Sequence, residues 1–235
     1  MKTMSQKQKT LVLFSGGKDS VFALYKALLD GYEPVLLSFV NKSDQVQFTD
    51  GPEIDHIFWQ MYLSLFGMFQ SISIQTDGLD NSLAQKIQSI SHENNIESIY
   101  TGDLGHPNGI DELLIRQTQL KVYTPGRSYV KSYGKKAYIE YLVSLGFVMP
   151  IISVRSDVAQ VVSVGEILTV EYCNRLELCG VDCTGEDGEF QTIVTKCPLY
   201  KYEMQINAYL LESNKGRDDK NFEYKRMVSI KAVLK

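Results

Sequence analysis

The chain has 235 residues, of which 44% are hydrophobic and 22% charged, with a formal net charge of -4. That length suits one large globular domain, or one with an appended subdomain, and is enough to bury a core. The acidic balance argues against a general nucleic-acid partner, which would need a basic face. No window approaches the ~20 apolar residues of a membrane span or the shape of a signal peptide, so the expectation is a cytoplasmic protein with no membrane partner.

In chain order, Lys9 to Phe14 has strand character, and "DSVFALYKALLDG" carries apolar residues at helical spacing up to a glycine stop at Gly31. "EPVLLSFV" predicts a second, buried strand, and "NKSDQVQFTDGP" a loop. Pro52 then opens a helix through "EIDHIFWQMYLSLFG". "FQSISIQ" and "IESIYTG" predict strands on either side of the helix "LDNSLAQKIQSISHENN". His56 falls on the earlier helix, and His106 beside Pro107 in a loop. "IDELLIRQTQL" reads as helix, "KVYTP" as a strand stopped by Pro125, "KKAYIEYLVSLGF" as helix and "VMPIISV" as strand. This alternation predicts an α/β fold, a doubly wound, Rossmann-like parallel sheet with helices on both faces and ligands at the carboxyl ends of its strands.

Past Ser153 the rhythm changes. "VVSVGEILTVEYCNRLELCG" is more helical than not, whereas "EFQTIVT", "LYKYEMQI" and "EYKRMVSIKAVL" alternate as strands do. The expected division is a parallel-sheet domain over 1–152 and a smaller α+β subdomain over 153–235. Cys173, Cys179, Cys183 and Cys197 form no Cys-x-x-Cys pair and lie far from the histidines. They read as free thiols packed as small hydrophobes, not as a zinc site.

The stretch "SGGKDS", Ser15 to Ser20, stands between the first strand and the first helix. Gly16 and Gly17 let backbone amides crowd and point one way, and the helix N-terminus adds partial positive charge. Ser15 and Ser20 add hydroxyls and Lys18 a full charge, so the element suits a polyphosphate. Asp19 works through magnesium, or by fixing the loop and capping the helix. The spacing fits neither the Walker loop nor the dinucleotide fingerprint.

"SGGKDS" resembles the pyrophosphate loop (PP-loop) of the ATP pyrophosphatases. That resemblance implies cleavage of ATP between its α and β phosphates, with Mg2+, and adenylation of an acceptor oxygen. It also puts Phe39 and Val40, at the end of the second strand, beside adenine. "GEDGEFQTIVTKCPLYKYEM", Gly185 to Met204, resembles the "GE-x-GEFET...D-x-P-L" block of the diphthine-ammonia ligase family, and "VYTP" and "YLVSLGF" have counterparts there. The resemblance implies a carboxylate acceptor, diphthine on elongation factor 2, with ammonium as nucleophile and an amide as product. Glu186, Asp187 and Glu189 surround Gly188, where carboxylates can hold a metal, orient ammonium or accept its proton.

Two stretches depart from the family. "TGDLGHPNGIDELLIRQ" stands where members carry "YQR-x-R", and "SVRSDVAQVVSVGE" where they carry a "GLD...LG" loop. Both fall where the family would contact its acceptor, so another small-molecule or nucleobase acceptor, or a nucleotide sensor without turnover, stays open. Gly102 and Asp103 end the fourth strand on the ligand side, making Asp103 a magnesium or substrate contact or a turn aspartate. Arg127 follows "TPG" and is a candidate contact for an anionic acceptor or the AMP phosphate. The expected catalytic set is therefore Lys18, Asp19, Glu186 and Glu189, with Asp19 and Asp103 at the metal; a homodimer is left open.

Overall fold

The computed structural model describes residues 7–40, 45–46, 54–55, 69–76, 78–105, 109–200, 204–208, 212–215, 223–226 and 229–232. Five parallel strands form the main sheet: β1 (Lys9–Leu13), β2 (Glu33–Val40), β5 (Gln70–Gln75), β6 (Ser98–Tyr100) and β7 (Lys121–Tyr123). Across the sheet they run β5, β2, β1, β6, β7. The winding direction reverses between β1 and β6, and such a reversal opens a crevice beyond the carboxyl ends of the two strands.

Helix α1 (Lys18–Leu29) buries Val21, Phe22, Leu24 and Ala27, whose spacing makes one apolar stripe against the sheet. Gly31, at a φ of +89°, turns the chain out of it. The opposite face is covered by α2 (Asn81–Glu93) and α3 (Ile110–Gln117). Asp80 caps α2 by accepting from the Leu83 amide at 2.9 Å. Leu83 and Ile87 of α2 and Leu114 of α3 pack there on Leu11, Leu13 and Ile99. The fold is thus the expected doubly wound α/β sheet with a smaller C-terminal part.

Several local expectations change. Gln45–Val46 (β3) and Ile54–Asp55 (β4) pair antiparallel at the end of β2, where a loop and the start of a helix were expected. The rest of that helix, His56 and His106 lie outside the described residues. Pro125 does not merely stop β7: it starts α4 (Pro125–Tyr133), since its fixed φ and missing N–H suit the first turn of a helix. Helix α5 (Lys135–Ser144) follows after Gly134. β8 (Ile151–Arg155) continues the strand-helix rhythm but leaves the parallel sheet. It pairs antiparallel with β9 (Phe190–Thr192) and β12 (Glu223–Arg226), and β12 pairs with β11 (Glu212–Lys215).

β10 (Met204–Ala208) and β13 (Ser229–Ala232) form a separate antiparallel pair. Only Val170–Leu178 (α6) of the long ambiguous segment is α-helical, capped by the Thr169 hydroxyl. One apolar cluster joins Val12, Phe22 and Tyr138 to Ile151, Val154, Phe190 and Val194, so the C-terminal part shares the core of the first. Cys173, Cys183 and Cys197 are buried and Cys179 is exposed. No helix among the described residues is long and apolar enough to cross a membrane.

Candidate active site

The loop after β1 owes its shape to two glycines and two serines. Gly16 has a φ of +77°, and Gly17 caps α1 with extended backbone and no side-chain bond. The Ser20 hydroxyl donates to the Gly17 carbonyl at 3.0 Å and accepts from the Ser15 amide at 3.2 Å, with the Ser15 hydroxyl also 3.2 Å away. Ser20 therefore spends its proton on holding the loop closed. The C-terminal part completes the loop: the Val194 amide donates to the Gly16 carbonyl at 2.9 Å, and the Lys18 amide to the Thr192 hydroxyl at 3.3 Å. A Cβ on Gly17 would come 3.3 Å from the Thr192 carbonyl oxygen, so any larger residue would make the strand give way by a few tenths of an ångström.

Charges meet at the mouth of the loop. Lys18 is buried, and its Nζ donates to the Asp19 carboxylate at 2.8 Å and to the Thr184 carbonyl. Burial works against its charge, but Asp19, aided by Glu186 and Asp182, more than offsets that and raises its pKa. The second Asp19 oxygen accepts from the Tyr138 hydroxyl at 3.0 Å. Glu186 accepts from the Leu104 amide at 3.1 Å. Burial first, then the Asp19 charge, lifts its carboxyl to about 8 against the pull of Lys18. Asp103, whose Oδ1 accepts from the Gly105 amide at 2.7 Å, adds to the rise.

Gly102 fixes how closely β6 approaches α1. A Cβ there would lie 2.7 Å from the Asp19 carbonyl carbon and 2.7 Å from the Ser20 nitrogen, inside van der Waals contact with backbone that cannot rotate away. Gly102→Ala is expected to push the start of α1 off the loop and cost about 1–3 kcal/mol. A urea titration measures this; an unchanged midpoint would mean that the two segments separate freely. Beside Gly102, the Thr101 hydroxyl is fully buried and has no hydrogen-bond partner among the described residues, at the very point where the sheet order reverses.

Other expected residues fall apart from this group. Glu189 has Asp182, Asp187 and Arg155 as its charged neighbours, and burial lifts its pKa. Strand alternation explains the separation, because Thr192 reaches the loop and Glu189, an odd number of residues away, turns to the other side. The Arg127 guanidinium is tied to the buried Asp111 carboxylate and lies 3.9 Å from Glu112, so its charge is already engaged. Val40 is core, and Phe39 is half-buried against the second apolar cluster, both at the end of the strand beside β1. Among the described residues no three His, Cys, Asp or Glu side chains are placed to hold a metal unaided.

The motifs did not reveal Tyr138 or Lys135. Both come from the first turn of α5, three residues apart and so on one face, and they reach Asp19 and Asp182. Burial first, then Asp19, pushes the Tyr138 hydroxyl well above its usual pKa. Lys135 is raised as well: its partial burial is outweighed by the hydrogen bond to Asp182. Only the helical face of "KKAYIEYLVS" could have flagged the pair.

Two family descriptions match this arrangement: diphthamide synthase N-terminal domain over residues 8–108 and diphthamide synthase C-terminal domain over residues 135–230. The chain belongs to the diphthamide synthase family. Membership places it among ATP-dependent ligases with a PP-loop. Within the diphthamide synthase match, the N-terminal description spans the loop and Asp103, and the C-terminal one spans Tyr138, Thr184, Glu186 and Thr192. No curated protein sequence matches the chain. Among solved structures it is similar to a protein described as a predicted subunit of tRNA methyltransferase from Methanocaldococcus jannaschii, with 18% identity over 81% of this chain and 98% of that one and a TM-score of 0.42.

Proposed function

We propose that the protein adenylates a carboxylate with ATP, releasing pyrophosphate, and amidates it with ammonia in the manner of diphthine-ammonia ligase. The observation that carries this reading is the meeting of both family motifs at one point: Glu186 and the "SGGKDS" loop share the field of Asp19. The loop fits a phosphate cradle, with a helix N-terminus free of its own side-chain cap, a glycine that a Cβ would crowd and a buried lysine. Ser15, Gly16, Gly17, Lys18 and Ser20 would surround the pyrophosphate, with adenine toward Phe39 and Val40. The orphaned Thr101 hydroxyl suits a polar ligand in the same crevice.

Asp19 and Asp103 would hold Mg2+ together with phosphate oxygens, as magnesium usually requires, and the ion would neutralise the polyphosphate. ATP is thus assigned to residues 1–152 and the acceptor to residues 153–235, although the boundary itself passes through β8. An acceptor oxygen attacks the α-phosphorus and pyrophosphate leaves. Ammonia nitrogen then attacks the acyl carbon, AMP leaves, and Glu186 takes the proton. A carboxylate titrating near 8 suits that exchange, since a general base works best with its pKa close to the working pH.

The family's acceptor is diphthine on a translation factor in the cytoplasm, and we assign the same acceptor class here. The test is nucleotide analysis after incubation with ATP, Mg2+, ammonium and a diphthine-bearing translation factor or other candidate carboxylates. AMP and pyrophosphate are expected. ADP and phosphate would refute the reading, because γ-phosphoryl transfer needs the cradle under a different bond.

A further inference from the structure

A lysine ammonium has three N–H bonds in a tetrahedral fan, so two fixed acceptors set the direction of the third. Among the described residues Lys18 Nζ has two acceptors, the Asp19 carboxylate at 2.8 Å and the Thr184 carbonyl. Asp19 is the next residue and travels with the lysine. Thr184 lies 166 residues away and has to be held there by other means.

Asp182 supplies those means. Its Oδ1 accepts from the Thr184 amide at 2.9 Å and from the Thr184 hydroxyl at 2.8 Å, which fixes that residue's backbone and rotamer together. Its own carbonyl accepts from the Gly185 amide at 3.2 Å. In a planar trans peptide the C=O and the N–H point in opposite directions. The Gly185 N–H is turned back to Asp182, so the Thr184 carbonyl of the same peptide is turned outward, to Lys18. The turn can close in this way because Gly185 takes a φ of +68°, where a side chain would be strained.

The carboxylate is anchored in turn. Its other oxygen pairs with Lys135 at the start of α5. The Lys135 side chain is 48% exposed and that of Asp182 10%, so this ion pair is worth little and the shielded bonds to Thr184 do the holding. α5 also sends Tyr138 to Asp19, and one helix thus steadies both acceptors of the Lys18 ammonium.

We propose that Asp182 is a positioning residue for Lys18: through the Thr184 carbonyl it fixes the direction in which the buried ammonium presents its remaining N–H to the pyrophosphate. Its effect on rate rests on the adenylation reading above; its hold on Lys18 does not. Asp182→Ala removes the acceptor of both Thr184 bonds and should lower kcat for AMP formation about thirtyfold, with KM for ATP changed less than about threefold, as for a misplaced catalytic group. Asp182→Asn keeps an oxygen for Thr184 while losing the charge, and should stay within about threefold of the parent. Lys135→Met, which removes the ion pair alone, should do the same. Equal losses in Asp182→Ala and Asp182→Asn would assign the effect to charge and overturn the proposal, as would a loss confined to KM. The hold on Lys18 is read without ATP, by urea unfolding of Asp182→Ala, Lys18→Ala and the double variant. Residues that share an interaction are not additive, so the double variant's unfolding constant should fall short of the product of the single factors by at least about threefold. Additive factors would overturn the proposal too. Should Asp182→Ala fail to fold, Thr184→Val, which loses only the hydroxyl bond, replaces it in both measurements, with a loss in kcat of about fivefold expected and parental kcat overturning the proposal. If the parent forms no AMP, the amidation reading fails, and the urea cycle still decides whether Asp182 holds Lys18.

Discussion

Lys18→Ala is expected to lower kcat for pyrophosphate release by roughly 100-fold or more, with a smaller change in KM for ATP. A buried ammonium acts on charge that develops as the pyrophosphate departs, and in a shielded site such stabilisation is worth several kcal/mol. The same substitution leaves Asp19 without its cation, so stability falls too, by up to about 3 kcal/mol for a pair that is not wholly buried. The double variant Lys18→Ala, Asp19→Asn separates these effects. It removes both charges and should regain most of the stability but none of the rate. Near-normal turnover in Lys18→Ala would reduce the loop to a structural turn.

Glu186→Gln should leave exchange of labelled pyrophosphate into ATP running while amide formation falls roughly 100-fold, the scale of a lost general base. If exchange disappears as well, Glu186 belongs to the adenylation step. The same variant has a signature in pH. The folded carboxyl holds its proton up to about 8, whereas an ordinary glutamate releases it near 4.5. Between those values the native state binds the extra proton, so this group's contribution is complete below 4.5 and is lost as pH rises through about 8. Glutamine cannot ionise. Glu186→Gln should therefore melt higher than the parent above pH 8 and nearly level with it near pH 4.5. A constant Tm difference across the range would show that the carboxyl titrates normally.

What the sequence disclosed, and what it hid, follows from the range of each signal. "SGGKDS" is local: two glycines and a helix start lie within six residues, so the loop could be read directly. The crevice required only the strand-helix rhythm. The partition of Glu186 and Glu189 was not legible, because it turns on whether a residue just before a short strand faces in or out, and both sit in one acidic turn. Tyr138 was hidden for another reason. A tyrosine on an amphipathic helix looks like core, and its hydroxyl finds Asp19 only once α5 has packed on α1. The pairing of Arg127 with Asp111 was hidden because Asp111 lies on a helix whose placement no spacing rule gives. β8 kept the rhythm of the parallel strands and changed sheets, since periodicity reports that a strand exists but not which neighbour it takes.

The links from the phosphate loop to Thr184 and Thr192 span 166 and 174 residues of chain. Contacts so distant along the sequence are slow to form, because closing a long loop costs entropy before the contact returns anything. During synthesis the five strands of the first sheet are all made well before residue 192 exists. Until residues 184–194 arrive, the Gly16 carbonyl and the Lys18 amide lack the partners that fix their directions, and the lysine side chain has Asp19 alone. Competence to hold a nucleotide is thus acquired last, when the final third of the polypeptide closes over the first, and a truncated or stalled product would carry the motif intact without the geometry that makes it a site.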